Sequence, residues 1–335
     1  MGGKSPEHDI SIISGREVVR NLDTAKYKIV PVIISRNGIK WKYISVKRLL
    51  AIQVLMYSEK TKTKYTNFLK SNLSAEQILS KSENCLVFIA MHGPFGEDGT
   101  IQGFLEYMGV RYTGSGVLSS AIGMDKIMFK NIMHSLNIPI PKYIVVRKNT
   151  VIPKLGKKLG PFPYFIKPSN QGSSVGAAIV KNEKELILKL KNVYRYCDTA
   201  LVEEYIPGKE ITCAIIGNEK PKTLPLIEII PSKADFFDYR SKYTDKGASE
   251  IVPAKISERL RKKIQNIAIN VYSALNCRGF ARVDFLLRNK QFPVVLEINT
   301  IPGLTPASLF PKAAKAAGYS YAELLDKIIN YAVEN

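Results

Sequence analysis

The sequence predicts an α/β protein made of three consecutive units. Apolar runs of strand length alternate with polar, helix-prone stretches along the chain, and no repeat or low-complexity tract interrupts the pattern. A chain of 335 residues is also long enough for two or three packed units. We place these units at residues 1–120, 121–215 and 216–335.

In the first unit, strands are expected at residues 26–35 and 84–91, because both stretches are mainly apolar. The polar segment between them is helix-prone around residues 46–58. A Gly-rich loop follows His92, and a helix is expected at residues 101–107. This order of elements is typical of an α/β unit.

In the second unit, a helix is expected to begin at Asp125, because an acidic side chain is favourable near a helix N-terminus. Pro139 and Pro141 end that helix. An amphipathic helix is expected at residues 183–194. The expected strands are residues 143–146, 164–167, 176–180 and 200–205.

In the third unit, a long helix is expected at residues 257–275, with Ser257 as its N-cap. A strand near residues 223–230 and a polar loop at 231–250 precede it. Strands at 279–287 and 293–299 follow, joined by a turn at 288–290. A helix at residues 321–332 closes the unit.

The chain is strongly basic, with 49 Lys and Arg against 29 Asp and Glu, a net charge of +20 and a pI of about 9.6. One interpretation is nucleic-acid binding; the other is a lysine-rich composition with a site for anionic substrates. The lysines are scattered and form no basic recognition helix. We therefore favour the second interpretation and expect no specific nucleic-acid partner.

The four cysteines, Cys85, Cys197, Cys213 and Cys277, form no C-x-x-C pair. We interpret them as reduced thiols of a cytoplasmic protein. No run reaches the roughly 18 apolar residues of a spanning helix, and the N-terminus has no apolar signal region. We therefore expect no association with a membrane.

The two strands near the end of the third unit indicate a metal site. Because side chains alternate faces along a strand, Arg282 and Asp284 point away from the core, as do Glu297 and Asn299 on the second strand. The core side chains are expected to be Ala281, Val283, Phe285, Leu296 and Ile298. Two carboxylates and an amide oxygen suit Mg²⁺ held jointly with substrate phosphates. The alternative, an ordinary hairpin with a solvated polar face, stays open.

A second segment indicates phosphate binding. Residues 166–176 read as a strand, a loop of small residues and a strand, and Lys167 supplies a point charge. The loop is not a Walker A motif, and a plain hairpin is the alternative. Lys126 lies at a helix start, which favours anions. Residues 201–210 read as an apolar strand ending in acids, which could contact an adenine amine and ribose hydroxyls.

Several motifs occur in one order along nearly the whole chain. They are GGKSPE (2–7), MHGPFGEDG (91–99), YTGSG (112–116), MDK (124–126), the loop after Lys167, the acids of 203–210, DYRSKY (238–243), and the segments 282–284 and 297–309. As a set they resemble the ATP-grasp ligases, and within them the D-alanine–D-alanine ligase family. The resemblance implies an α/β fold of the ATP-grasp type: a Rossmann-like N-terminal domain followed by two ATP-grasp subdomains, with ATP between the last two.

The resemblance also implies an activity. ATP would phosphorylate the carboxylate of one D-alanine, and the amine of a second would attack the acyl phosphate to give D-alanyl-D-alanine for peptidoglycan synthesis. The implied cofactors are ATP and two Mg²⁺ ions, with Mn²⁺ as a substitute. The implied partners are two D-alanine molecules, and the implied assembly is a cytoplasmic homodimer.

The same resemblance assigns roles to single positions. The ATP phosphates would be contacted by Lys126, Lys167 and Lys242. The adenosine would be held by Glu203, Tyr205, Ile206 and Glu210. The metal ions would be bound by Asp284, Glu297 and Asn299.

The remaining implied roles concern the two amino acids. The first D-alanine would be bordered by Glu7 and His92, and the carboxylate of the second would meet Ser308 and Leu309. Arg282 and the backbone of Gly303 would stabilise the oxyanion. A hydrogen-bonded trio, Glu7, Ser173 and Tyr243, would close the loop over the site.

Three questions stay open at this point. The family has a strand before its GGKS-like loop, whereas Met1 directly precedes the loop here, so we expect neighbouring strands to be left unpaired and consider a truncated, inactive form. Lys242 and Tyr243 favour an amine nucleophile over D-lactate, but D-serine as second substrate remains an alternative. No role is assigned to His8, and His134 is expected on a helix surface.

Overall fold

The computed structural model describes residues 1–52, 85–172, 174–231 and 248–334. Helices and sheets are both present, and the predicted α/β class is confirmed. The described strands beyond residue 140 form two antiparallel sheets, one of four strands and one of six. Among the described residues, no helix is long and apolar enough to cross a membrane.

The chain begins with helix α1 (His8–Asn21), followed by a small hairpin of β1 (Val32–Ile34) and β2 (Trp41–Tyr43), and helix α2 (Val46–Leu50). The strand expected at 26–35 is wrong in its first half. The chain forms a turn there, in which the backbone carbonyl of Asp23 accepts from the amides of Lys26 and Tyr27. The part of the expected helix beyond residue 52 lies outside the described residues.

The first residues of the chain pair with β1 in parallel. The Gly3 amide donates to the Ile34 carbonyl, and the Ile34 amide donates to the Met1 carbonyl, both at 2.9 Å. We expected the backbone groups of the neighbouring strand to lack partners, and at Ile34 of β1 this expectation is wrong. The loop that carries Glu7 starts from this pairing.

The rest of the first unit holds β3 (Leu86–Val87), α3 (Thr100–Tyr107) and β4 (Arg111–Tyr112), with β3 parallel to β4. The prediction for α3 is confirmed. The strand expected at 84–91 is shorter than predicted, because the chain beyond Val87 leads into the loop that carries His92.

The second unit forms a four-stranded antiparallel sheet, with the spatial order β5–β8–β6–β7. Asp125 is the N-cap of α5 and accepts from the Ile127 and Met128 amides, as predicted. The elements in chain order are α4 (Val117–Met124), α5 (Lys126–Ser135), β5 (Tyr143–Arg147), α6 (Gly156–Leu159), β6 (Tyr164–Pro168), β7 (Ala178–Val180), α7 (Glu183–Val193) and β8 (Thr199–Glu204).

The third unit forms a six-stranded antiparallel sheet, with the order β12–β11–β9–β13–β14 and β10 beside β9. Its elements are β9 (Gly208–Ile216), β10 (Lys222–Thr223), β11 (Ile227–Pro231), β12 (Ala248–Ile251), α8 (Glu258–Ala274), β13 (Phe280–Arg288), β14 (Phe292–Asn299), α9 (Leu309–Ala316) and α10 (Tyr321–Val333). Ser257 caps α8 by accepting from the Leu260 amide, as predicted.

Strand β9 was not predicted as a separate element. The stretch 201–210, interpreted as one strand, divides at Pro207 between β8 of the first sheet and β9 of the second. All nine residues of β9 pair with β13. The second sheet therefore starts at Gly208, before residue 216, and the division into three units stays a prediction.

Helix α8 covers one face of the six-stranded sheet. Its buried residues Ile264, Ala268 and Val271 share a core with Val283 and Phe285 of β13. Because side chains alternate along β13, Arg282 and Asp284 emerge on the opposite face. That face is turned towards the four-stranded sheet.

Candidate active site between the two sheets

A cavity lies between the four-stranded and six-stranded sheets. Eight residues singled out from the sequence line it: Lys126, Lys167, Glu203, Tyr205, Ile206, Glu210, Asp284 and Glu297. They come from α5, β6, β8, β9, β13, β14 and the link between the sheets. Residues distant in the chain therefore meet in one place, as the expectation of a nucleotide site requires.

The register of β13 and β14 brings the expected metal-binding residues together. Arg282 pairs with Asn299, and Asp284 pairs with Glu297, so all four side chains share one face. Arg282 donates to both Asp284 carboxylate oxygens, at 2.8 and 2.9 Å. Thr212 donates to Asp284 Oδ1 at 2.6 Å; it was missed because β9 itself was not predicted.

One core assignment on these strands is wrong. The pairing shifts between Asp284 and Phe285, so that Leu296 has no direct partner on β13. Such a bulge turns one residue out of the regular alternation. Leu296 consequently lines the cavity instead of the core, whereas Val295 and Ile298 on either side are buried in the core.

The donor set fits a magnesium ion. Asp284 and Glu297 offer carboxylate oxygens and Asn299 an amide oxygen, which are the hard ligands that Mg²⁺ prefers. Asn299 Oδ1 already accepts from the Ile301 amide at 3.0 Å, but a carbonyl oxygen has a second lone pair. In the described ranges no three His, Cys, Asp or Glu side chains group as a metal site. Phosphate oxygens and water would complete the shell of a bound Mg²⁺.

Arg282 is buried beside these carboxylates. Burial opposes the charged form, but the charge and hydrogen bonds of Asp284 outweigh it and raise the pKa of Arg282 above its ordinary value. The guanidinium therefore stays charged and is held in a fixed orientation. A fixed cation beside the cavity can stabilise negative charge that develops during a reaction.

Lys126 joins three parts of the cavity wall. Its Nζ donates to the Gln171 carbonyl at 2.8 Å and lies 3.5 Å from Glu297 Oε2. Its backbone amide donates to the Ser169 carbonyl at 2.9 Å. The loop after β6 is thereby held against α5 and strand β14.

A second lysine lies one helical turn after Lys126. Lys130 is fully buried, and its Nζ lies 2.9 Å from Glu203 Oε1, while Lys167 Nζ lies 3.2 Å from the same oxygen. Burial lowers the pKa of Lys130 to about 8. Burial also opposes ionisation of Glu203, but the two lysines outweigh it and hold its pKa below the ordinary value. Sequence reasoning missed Lys130, whose only signal was its spacing of four residues from Lys126.

The expected D-alanine side of the site is built around Glu7 and His92. Glu7 is buried, and its Oε2 lies next to Gly93 and 3.1 Å from where a Cβ on Gly172 would stand. The loop after β6 thus reaches the first unit. His92 Nε2 lies 2.8 Å from Ser14 Oγ, and Nδ1 lies 3.3 Å from Glu97 Oε1.

The remaining expected residues have different positions. Ser308 precedes α9, and its Oγ lies 2.8 Å from Thr305 Oγ1. A Cβ added to Gly303 would stand 2.9 Å from the same Ser308 Oγ, so Gly303 and Ser308 are neighbours. Leu309 is buried against the core. His8 is buried, with Nδ1 2.8 Å from the Gly3 carbonyl, and His134 is exposed as predicted. Ser173, Lys242 and Tyr243 lie outside the described residues.

Comparison with known proteins identifies the same family over most of the chain. Residues 1–115 match the family described as D-ala D-ala ligase N-terminus, and residues 132–330 match D-ala D-ala ligase C-terminus. A D-alanine–D-alanine ligase from Clostridium acetobutylicum is 40% identical, over 99% of this chain and 96% of its own length.

Solved structures agree with the sequence comparison. The D-alanine–D-alanine ligase of Coxiella burnetii is 32% identical with a TM-score of 0.82, over 99% of this chain and 92% of that one. The Bacillus anthracis enzyme complexed with ATP is 34% identical with a TM-score of 0.75, over 100% and 96%. The VanG D-Ala:D-Ser ligase of Enterococcus faecalis is 31% identical with a TM-score of 0.81, over 99% and 97%. The chain belongs to the D-alanine–D-alanine ligase family, which has the ATP-grasp fold.

Proposed function

We propose that the chain joins two molecules of D-alanine into D-alanyl-D-alanine at the expense of ATP, for the synthesis of peptidoglycan precursors. The observation that carries the proposal is the cross-strand register of Arg282, Asp284, Glu297 and Asn299 at a cavity that also holds Lys126 and Lys167. A cavity with cations, carboxylates and a fixed guanidinium is suited to phosphoryl transfer followed by acyl transfer.

In the first step, the γ-phosphoryl group of ATP passes to the carboxylate of one D-alanine, giving an acyl phosphate and ADP. Lys126, Lys167 and Lys242 hold the phosphates, and Glu203, Tyr205, Ile206 and Glu210 hold the adenosine. Phosphoryl transfer needs mainly positioning and charge neutralisation, which lysines supply. Two Mg²⁺ ions, for which Mn²⁺ can substitute, would neutralise phosphate charge when bound by Asp284, Glu297 and Asn299.

In the second step, the free amine of the second D-alanine attacks the acyl carbon, and inorganic phosphate leaves as the peptide bond forms. The tetrahedral intermediate carries an oxyanion, which Arg282 and the Gly303 amide stabilise. Arg282 is suited to this task because Asp284 fixes its orientation through two hydrogen bonds.

The two amino acids occupy the side of the cavity nearest the first unit. Glu7 and His92 border the first D-alanine, and Ser308 and Leu309 receive the carboxylate of the second. The loop after β6 already lies against Glu7 through Gly172. Glu7, Ser173 and Tyr243 would hold that loop closed and exclude water, which otherwise hydrolyses the acyl phosphate.

The direct test is phosphate release by the purified protein with ATP, Mg²⁺ and D-alanine, followed by omission of each in turn. Turnover that needs all three supports the proposal, and its absence under all conditions overturns it in favour of an inactive form. Addition of D-serine or D-lactate to limiting D-alanine tests the second substrate. The likeness to VanG makes D-serine the specific alternative to examine.

Two further properties belong to the same proposal. The family resemblance is the basis for a homodimer, which sedimentation velocity tests directly: a species of twice 37.4 kDa is expected. The four cysteines are all free, which supports a cytoplasmic location with reduced thiols, and cell fractionation tests this location.

A further inference from the structure

Lys130 is a buried cation that the reaction outlined above does not use. It lies on α5, four residues after Lys126, so both side chains are on the same side of the helix. Lys126 lines the cavity, whereas Lys130 is fully buried behind it. A lysine is rarely buried unless it is paired, so its position requires an explanation from its neighbours.

The neighbours of Lys130 connect it to the adenosine end of the cavity. Its Nζ lies 2.9 Å from Glu203 Oε1 and 5.5 Å from the centre of the Tyr143 ring. Lys167 Nζ lies 3.2 Å from the same Glu203 oxygen and also lines the cavity. Glu203 therefore lies between Lys167, which lines the cavity, and Lys130, which does not.

The negative charge of Glu203 is neutralised by Lys130 and Lys167 together. Two lysines share one carboxylate, so Lys167 does not have to neutralise Glu203 alone. Without Lys130, Glu203 would be a buried carboxylate with Lys167 as its nearest cation, and Lys167 would be drawn towards it and away from a ligand. Lys130 thus keeps Glu203 ionised and leaves Lys167 available to the cavity.

An ionised carboxylate is selective for the base that it meets. It can only accept hydrogen bonds, so it favours the exocyclic amino group of a 6-aminopurine and disfavours the carbonyl oxygen that guanine carries at that position. The adjoining cavity wall includes Phe165 and Leu286, which are suited to a flat aromatic ring. The geometry points to Lys130 as a positioning residue that sets the preference for the nucleobase through Glu203. This inference rests on the proposed use of ATP.

The test is the substitution Lys130→Met in the full-length protein, which keeps the length of the side chain and removes the charge. The Michaelis constant for ATP should rise about tenfold, as expected for loss of a charge-assisted interaction. The ratio of kcat/KM for ATP to that for GTP should fall, whereas the KM for D-alanine should stay within a factor of about two. Lys130→Arg should restore most of the preference for ATP.

Lys158→Met is the matched control. Lys158 also lies over the Tyr143 ring, at 5.4 Å, but it is exposed and belongs to no ion pair with Glu203 among those found in the described residues. Its substitution should leave both nucleotide constants unchanged. An unchanged ATP-to-GTP ratio in folded Lys130→Met would overturn the inference.

A double-mutant cycle with Glu203→Gln distinguishes positioning from general damage. If Lys130 acts through Glu203, then Lys130→Met should have no further effect on nucleotide preference in the Glu203→Gln background. If Lys130→Met alone fails to fold, Glu203→Gln takes its place: a neutral amide can also donate hydrogen bonds, so the ATP-to-GTP ratio should fall, and an unchanged ratio would contradict the inference. A further loss of preference in the double variant would contradict the inference.

Binding of ATP and GTP measured by calorimetry keeps this inference separate from the proposed function. If the wild-type protein releases no phosphate with D-alanine, the proposed ligase activity fails, yet the binding preference can still be measured. If the protein is an active ligase but Lys130→Met binds ATP and GTP as the wild type does, the inference about Lys130 alone fails.

Discussion

Arg282 and Asp284, two residues apart on one strand, form a two-point ion pair in which each carboxylate oxygen accepts one hydrogen bond from the guanidinium. The pair lies on the face of the sheet opposite helix α8 and beside the cavity. Because Thr212 also donates to Asp284, the carboxylate is held from two strands at once. The orientation of Arg282 is therefore fixed before any substrate binds.

The first prediction concerns Arg282→Lys. Lysine keeps the charge but cannot make the two parallel hydrogen bonds to Asp284. We expect kcat to fall about 10²- to 10³-fold, the range for loss of an oxyanion-stabilising donor, with a smaller change in the KM for ATP. Steady-state phosphate release measures both constants, and a kcat within threefold of wild type would contradict the role of Arg282.

The second prediction concerns Gly172→Ala. An added Cβ would stand 3.1 Å from Glu7 Oε2, so the loop or the carboxylate must shift by a few tenths of an ångström. We expect kcat/KM for D-alanine to fall about tenfold, because small misplacements of positioning groups are costly. Gly103→Ala is the control: Gly103 lies inside α3, its added Cβ would stand 3.7 Å from Val117 Cγ2, and the variant should be fully active.

The third prediction concerns the stability of the second sheet. A Cβ at Gly208 would collide with the Leu287 carbonyl, where β9 first pairs with β13. Gly208→Ala should lower the free energy of unfolding by about 1–3 kcal/mol, as overpacking usually does. Urea denaturation measures the change, and the same Gly103→Ala variant should be unchanged or slightly more stable.

The fourth prediction is a pH dependence carried by His92. Burial lowers its pKa, but the hydrogen bond and charge of Glu97, together with Glu7, outweigh burial and raise it above 6.5. Because the pKa of His92 is higher in the folded than in the unfolded protein, protonation stabilises the fold below about pH 6.5, the unfolded-state pKa. This stabilisation is lost as the pH rises through the folded-state pKa. The stability difference between wild type and His92→Gln should therefore be larger at pH 6 than at pH 8.5.

Urea denaturation at pH 6 and pH 8.5 gives the four free energies needed. A difference for His92→Gln that does not vary with pH would show that Glu97 does not stabilise a protonated imidazole.

Much of this architecture could be predicted from local sequence patterns. Alternation along β13 placed Arg282 and Asp284 on one face, and the caps at Asp125 and Ser257 were predicted correctly. Each of these features depends on residues close together in the chain. The predicted face of β14 was right for Glu297 and Asn299 for the same reason.

The failures come from interactions between distant segments. The bulge that exposes Leu296 depends on how β14 pairs with β13, and strict alternation cannot foresee it. The end of β8 and the start of β9 depend on which sheet each half joins, so the break at Pro207 within residues 201–210 could not be foreseen. Lys130 was missed because its partner Glu203 is far away in the chain.

The link between β8 and β9 also constrains how the cavity can open. Only three residues, Tyr205, Ile206 and Pro207, join the two sheets there, and three residues span about 10 Å at most. Arg288 donates to Glu204 at 2.6 Å and ties the sheets at the same end. The spacing between the two sheets is therefore limited at this end of the cavity by a covalent link and an ion pair together.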